Sequence, residues 1–426
     1  MAVSENGRSH QDHCSPAGNG ALLRGFFAVC LTFAIELLYI SAVSAQTPAE
    51  RYESLMKNIL IVDTHVDTPG YIVDEGYRLA EEHSYYEADI PRMRRGRVGA
   101  MFFGVYVQPQ DFAPHLWLPR AMEWIDALHS EVERNPRDME MAYTADDIVR
   151  IHRERRIAAL LSLEGGHLIS DSLALLRDYY RLGVRYMTLA HFKTNNWADS
   201  ATDKAVHNGL SPFGRDVVRE MNRLGMIGDI SHVSDKCFYD ALETSRAPMI
   251  ASHSSLRAVC DIPRNMTDDM LRALARQGGV VSINFNAAYL DPKAAAVFAN
   301  LREPRDREIA EMMASNGGNP RRWDMKRTIQ QRYRAKLPQV GLRVLLRHID
   351  HAVKLIGADH VGIGSDFDGV SGMVPDGMED VSHYPALVKG MIDLGYPDSD
   401  IRKIMGENVL RVMRENEAVA RELRGK

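Results

Sequence analysis

From about residue 50 onward, short apolar runs rich in β-branched residues alternate with amphipathic stretches. The runs are 59–66, 99–107, 157–163, 185–190, 226–230, 248–252, 280–285 and 360–364. Between most of them lie segments with helical periodicity: 120–134, 145–155, 172–182, 212–224, 234–244 and 267–277. Runs this short and continuous predict strands buried on both faces, and the alternation predicts a parallel sheet. Eight strand–helix units predict an α/β fold of the closed (β/α)8 TIM-barrel type. The rival is an open doubly wound sheet, but no Gly-rich phosphate fingerprint follows the first strand.

One connection is too long for a simple crossover. Residues 286–359, between the seventh and eighth strands, contain Arg-rich helical stretches at 302–313 and 323–333 and a turn at 313–320. They predict a helical insertion on the barrel that serves as a lid or an oligomer contact, and a homodimer is compatible with it. The first 45 residues read differently. Arg8 and Arg24 precede an apolar stretch, 25–40, and Val43-Ser44-Ala45 precedes a polar segment. This is the pattern of a secretory signal peptide ending at Ala45, followed by one catalytic domain over 46–426. Glu36, inside the apolar stretch, favours the rival reading of an uncleaved N-terminal anchor. Either way the domain is expected outside the cytoplasm, periplasmic or extracellular, with no stable membrane insertion once the leader is removed.

The whole chain has 426 residues, 45% hydrophobic and 26% charged, with a formal net charge of −5. That is globular composition, and it argues against a nucleic-acid partner or an anionic membrane surface. Of four cysteines, Cys14 and Cys30 fall in the leader. Cys237 and Cys260 remain, as a disulfide or as two buried thiols, and no cysteine-rich zinc signature is present.

The candidate chemistry lies where the runs end. The first ends in His65-Val66-Asp67, and side chains at i and i+2 of a strand point to one side. The third ends in Glu164, the fourth in His191, the fifth in His232, the sixth in His253 and the eighth in Asp366. A barrel brings these ends to one face, where barrel enzymes carry their active sites. Imidazole and carboxylate donors without thiolates suit zinc, and manganese, cobalt and iron are compatible. The donors outnumber the ligands of one tetrahedral ion. Two ions roughly 3.5–4 Å apart, bridged by a carboxylate, fit better and can hold a hydroxide between them. Glu164 is the bridge candidate.

Asp63-Thr64-His65-Val66-Asp67, Glu164-Gly165-Gly166, Trp197-Ala198-Asp199-Ser200, Ile230-Ser231-His232-Val233-Ser234, Ser252-His253-Ser254-Ser255, Arg264-Asn265 and Gly364-Ser365-Asp366-Phe367-Asp368-Gly369 together resemble the membrane (renal) dipeptidase family of zinc peptidases. The resemblance runs from about residue 55 to 414. It implies a barrel with two Zn²⁺ ions per chain: His65 and Asp67 on one, His232 and His253 on the other, Glu164 between them. It implies that His191 contacts the scissile group and stabilises the oxyanion. Arg264 would hold the substrate's terminal carboxylate, and Asp366 would move the proton from attacking water to leaving amine. The substrate would be a dipeptide with a free C-terminal carboxylate, D-residues tolerated at that position, with opening of carbapenem-type rings a further family property.

The departures are the cysteine pairs of animal members, absent here around His191 and after Phe285, and the segment 284–288, which differs from the animal form. Neither is a C-terminal lipid-anchor signal read. The chain resembles a bacterial-type exported member. Two other readings are carried. One is a related metal-dependent amidohydrolase or deacylase acting on N-acyl amino acids. The other is a non-catalytic binding barrel, which would be expected to lack at least one of Glu164, His232, His253 or Asp366.

Overall fold

Each of the eight apolar runs contains a strand, and the strands pair in parallel around a closed ring. A computed structural model describes residues 47–425 apart from 110, 318 and 320. The strands are β1 (Ile61–Val66), β2 (Val98–Val105), β3 (Met139–Met141), β4 (Ile157–Glu164), β5 (Val184–Thr188), β6 (Ile227–Asp229), β7 (Ile250–Ser254), β8 (Val280–Ile283) and β9 (Val361–Ile363). Their order is β2-β1-β9-β8-β7-β6-β5-β4, and β4 returns to β2 with Ala100 opposite Ala158 and Val105 opposite Leu163. Closure abolishes sheet edges and gathers the strand ends on one rim. The short β3 is the strand that the hydrophobic pattern misses. It pairs Met139 with Ile157 at the start of β4, before β5 joins at Leu161. Three residues are too few to show an alternation.

The helices begin where side chains cap them. Thr144 and Asp147 form a capping box, and Ser172, Ser211, Ser234 and Thr267 each accept an N–H from the first turn of their helices. Ser172, Ser234 and Thr267, read from the sequence as first helical residues, are caps.

From the strands, Val62, Phe102, Leu160, Tyr186, Ile227, Ile250 and Val280 share one apolar cluster with Val409, Leu410, Val412 and Met413 of the last helix, Asn408–Arg424. That helix closes the end of the barrel opposite the polar rim. Truncating one such buried leucine, Leu160→Ala, would cost about 2–5 kcal/mol.

After a single helical turn at Ala287–Leu290, the long connection following β8 carries two longer helices, Pro292–Ser315 and Arg322–Arg334, before the barrel helix Leu342–Ile356 leads to β9. The first starts ten residues ahead of the sequence reading because Asp291 caps it and Pro292 fits its first turn. Cys237 and Cys260 are both free and buried, so the disulfide alternative is excluded.

Residues 54–426 form one compact unit. Of the unit before it, only 47–53 are described, all but Thr47 in the helix Pro48–Asn58. The leader or anchor read over 1–45 lies outside the described residues. Among the described residues, no helix is long and apolar enough to cross a membrane.

Candidate metal centre

The strand ends converge on one carboxylate. Glu164 Oε1 lies 3.0 Å from His232 Nε2, 3.1 Å from His253 Nε2, 3.5 Å from His191 Nε2 and 3.6 Å from His65 Nε2. Asp67 Oδ1 is 3.3 Å from His65 Nε2. Each of these side chains is buried. Three sets of ligand atoms cluster: His65, Glu164 and His253; Glu164, His191 and His232; His65, Asp67 and Asp366. Donors about 2.0–2.2 Å from a tetrahedral ion stand roughly 3.3–3.6 Å from one another, so the spacing is that of a coordination shell.

The hydrogen bonds behind the imidazoles decide what they offer. Tyr186 donates its hydroxyl proton to the Thr64 carbonyl at 2.8 Å, so it accepts from His65 Nδ1 at 2.6 Å. Ser252 donates to Asp229 Oδ2 at 2.7 Å, so it accepts from His253 Nδ1, also at 2.7 Å. Both rings therefore turn Nε2 to the cluster, that of His253 as a bare lone pair. His253 Nε2 then faces an acceptor oxygen of Glu164 at 3.1 Å, and His65 Nε2 and Asp67 Oδ1 have no hydrogen-bond partner. Buried acceptors facing one another are costly unless a cation lies between them.

Charge supports this. Burial, with the charges of His65 and Arg264, holds His253 well below the usual imidazole range. Burial, Arg264 and His191 do the same for His232, so both are neutral imidazoles at neutral pH. Burial alone would push Glu164 up, but His191 and His65 outweigh it and hold its carboxyl well below the usual range. His65 goes the other way. Burial opposes its proton, yet Tyr186, Glu164 and Asp67 hold it well above the usual range. The same carboxylate field favours any cation placed there.

Two buried aspartates that the sequence reading left without a role set the rim. Asp63 accepts from the His65 N–H at 3.1 Å and the Ser365 N–H at 2.9 Å, and from the hydroxyls of Ser365 and Tyr384. Asp229 accepts from the Ser231 N–H at 3.0 Å, the Ser252 N–H at 2.8 Å, and the hydroxyls of Ser252 and Thr188. Each thus ties its own strand end to that of a neighbour. Their only signal in the chain is a repeated Asp two residues before a strand-end donor, in Asp63-Thr64-His65 and Asp229-Ile230-Ser231. Gly104 leaves room for His65 and Asp67. A Cβ there would lie 2.7 Å from Asp67 Oδ1 and 3.0 Å from the His65 ring.

The remaining candidate residues are close by. His191 is buried, its carbonyl held by the Ser200 hydroxyl, and burial lowers its pKa. Asp366 accepts from Asn284 Nδ2 at 2.9 Å. Burial, aided by the charge of Glu164 and opposed by His65, pushes its carboxyl up to about 7. His232 and Asp366 hold left-handed backbone, φ +67° and +62°, a strain on the order of 1–3 kcal/mol each that is typical of functional sites. Arg264 is the exception. It is buried, donates to Ser254 Oγ and the His253 carbonyl at 2.8 Å each, and does not line the open cavity. Its Nε has no partner, and its guanidinium lies 5.7 Å over the ring of Tyr289, which does line the cavity. Trp197-Ala198-Asp199-Ser200 is scaffold: Asp199 accepts the N–H groups of Val206, His207 and Gly209.

The cluster opens into a cavity of about 670 Å³. Its floor includes Asp67, Glu164, His191, His232 and Asp366, and its roof is the insertion, through Phe298, Arg302, Ile309, Trp323 and Lys326.

A family model described as membrane dipeptidase (peptidase family M19) matches residues 49–426. Over 345 residues the chain is 39% identical to dipeptidase tcpJ of Claviceps purpurea, covering 79% of this chain and 71% of that one. Among solved structures it is similar to the probable dipeptidase PvdM of Pseudomonas aeruginosa, with 28% identity and a TM-score of 0.75 over 88% of this chain and 99% of that one. It is also similar to a metallopeptidase of Rhodobacter sphaeroides solved with a phosphinate mimic of the dipeptide L-Ala-D-Ala. There the identity is 25% and the TM-score 0.68, over 84% of this chain and 99% of that one.

Proposed function

The chain belongs to the membrane dipeptidase family, peptidase family M19, and from that premise we propose that it is a dinuclear zinc dipeptidase acting on dipeptides with a free C-terminal carboxylate. The observation that carries this reading is the convergence of four imidazole Nε2 atoms on Glu164 Oε1, with Asp67 and Asp366 alongside. His65 and Asp67 would hold one Zn²⁺, His232 and His253 the other, and Glu164 would bridge them. The Nε2 atoms of His65 and His253, turned inward by Tyr186 and Ser252, and the partnerless Asp67 Oδ1 fit those ions. Bound zinc supplies Lewis acidity and makes water nucleophilic at neutral pH.

The rest is the work of side chains. Asp366, poised near neutrality, takes a proton from the attacking water and passes it to the leaving amine. His191 donates to the oxygen of the tetrahedral carbon as charge develops there. Arg264 keeps unpaired N–H groups, Nε among them, and these would pair the substrate's carboxylate beside Tyr289. The roofed cavity excludes bulk water and limits what enters. Export of the domain is part of the same reading.

The size of the cavity favours a second reading, a deacylase of N-acyl amino acids that shares the metals and Arg264 but accepts a larger acyl group. One experiment separates the two. Chain from Gln46 onward, zinc-loaded or chelator-stripped, is given an L-Ala-D-Ala-type dipeptide, an L,L-dipeptide and an N-acyl amino acid, and released amino acid is measured. Zinc-dependent release from the dipeptides is expected. Release from the N-acyl compound alone would replace the dipeptidase reading.

A further inference from the structure

Arg302 lies on the inserted helix Pro292–Ser315 and lines the cavity from above. Its guanidinium carbon sits 5.0 Å from the ring centroid of Phe192, the residue that follows His191. Phe192 in turn packs edge-on against His232, with centroids 4.9 Å apart. The charge of Arg302 is felt at His191 and at Tyr289. Arg302 therefore occupies the corner of the cavity formed by His191, Phe192 and Tyr289.

Its own pairing is loose. The one ion contact found for it among the described residues is 3.8 Å, from Nε to Asp306. Asp306 is already held by Arg305, at 2.8 Å. The roof's other two cavity-lining cations differ: Arg305 is held by Asp306 and lies over the ring of Phe298. Lys326 stands in the field of Glu75, Asp74 and Asp111, which would repel an incoming anion. Below the corner, Arg264 is fixed in the wall by Ser254 and His253. A carboxylate beside Tyr289 would thus meet one immobile guanidinium behind the ring and one on a long, half-exposed side chain above it.

We propose that Arg302 is a specificity-determining residue that closes from the roof onto the substrate's terminal carboxylate, exchanging its loose contact with Asp306 for that anion. This rests on the dipeptidase reading and adds a residue to it. The wall arginine fixes where the carboxylate lies, and the roof arginine makes closure of the insertion depend on a free carboxylate being present. Such an arrangement selects acids over amides without touching the scissile bond.

The test compares Arg302→Gln, Arg302→Lys and Arg307→Gln with the unaltered zinc-loaded chain. Arg307 lies on the same helix, pairs with Glu303 and does not line the cavity. Each protein is given one dipeptide as its free acid and as its C-terminal amide. Binding of both compounds to chelator-stripped protein is read in parallel by calorimetry. Arg302→Gln is expected to raise KM and Kd for the acid roughly tenfold, with kcat and the values for the amide unchanged. Arg302→Lys should recover part of the loss, and Arg307→Gln should change nothing. An equal effect on acid and amide, or none on either, would overturn the proposal. If the unaltered chain cleaves no dipeptide, the dipeptidase reading fails, and the acid–amide difference in Kd still decides Arg302. Melting temperatures that match the unaltered chain separate a binding loss from a folding one.

Discussion

The rim of the barrel and its roof are built on opposite plans. At the rim, each ligand candidate sits on or just past a strand end, and several are oriented by buried groups whose hydrogen bonds are accounted for. Asp63 and Asp229 each accept four hydrogen bonds, and Tyr186 and Ser252 fix the tautomers of His65 and His253. The roof buries little. Its first helix has Ala294 as its buried residue and its second has Ile329. Several of its ion pairs, such as Arg307–Glu303 and Arg332–Glu308, are between exposed side chains, while Arg327 ties its second helix to the buried Glu75. Donors for a metal must be held within about half an ångström, which a closed parallel sheet with locked side chains can do. A roof that admits substrate must move, and weak exposed pairs allow it.

Substitutions at the rim should therefore cost far more than substitutions in the roof. The largest effect is expected for Glu164→Gln, which removes the charge shared by all four imidazoles. Bound zinc should fall and turnover should drop to background, read by metal analysis and amino-acid release; normal metal with normal turnover would remove Glu164 from the centre. Next is Asp366→Asn, expected to lower kcat by about 10²–10⁴-fold with zinc retained. Loss of zinc instead would make Asp366 a ligand, as its place beside His65 and Asp67 permits. The same carboxyl sets a pH dependence. As the base it must be ionised, so activity should fall as pH drops through its pKa. That pKa is about 7 without metal, and bound cations, which favour the carboxylate, should move the acid limb lower.

Asp229→Asn tests the brace rather than the ligand. The amide cannot accept all four hydrogen bonds, and the loss should reach His253 through Ser252. Zinc affinity should weaken about 10–100-fold with the strands intact; unchanged affinity in a zinc competition assay would detach Asp229 from the centre. The smallest effect is expected in the roof. Arg332→Gln should leave melting temperature and KM unchanged, and a substantial loss of either would show the roof to be as rigidly built as the rim.

This contrast also explains what could be read from the chain. The barrel was legible because parallel strands buried on both faces leave continuous apolar runs, and the donors because they end those runs. His65, Asp67, Glu164, His191, His232, His253 and Asp366 are close together in the structure, on or just past the ends of six strands. The braces were not legible. Asp63 and Asp229 interrupt or end apolar runs, and most of the N–H groups and hydroxyls that donate to them come from elements distant in sequence. Arg264 was found by motif, but its two hydrogen bonds into the wall depend on how the loop after β7 folds back. The insertion was legible as helices, with a lid or an oligomer contact as its expected role, but nothing in the spacing of its charges says which side faces the cavity, and Arg332–Glu308 and Arg327–Glu75 join residues far apart in the chain. Met139–Met141 was too short to see.

The most direct test is a zinc titration of chelator-stripped protein, with bound metal and dipeptide cleavage measured on the same samples. Two zinc ions per chain at full activity are expected, with Glu164→Gln holding neither tightly. Full activity at one ion per chain, or cleavage that survives complete removal of metal, would contradict a centre built on a bridging Glu164.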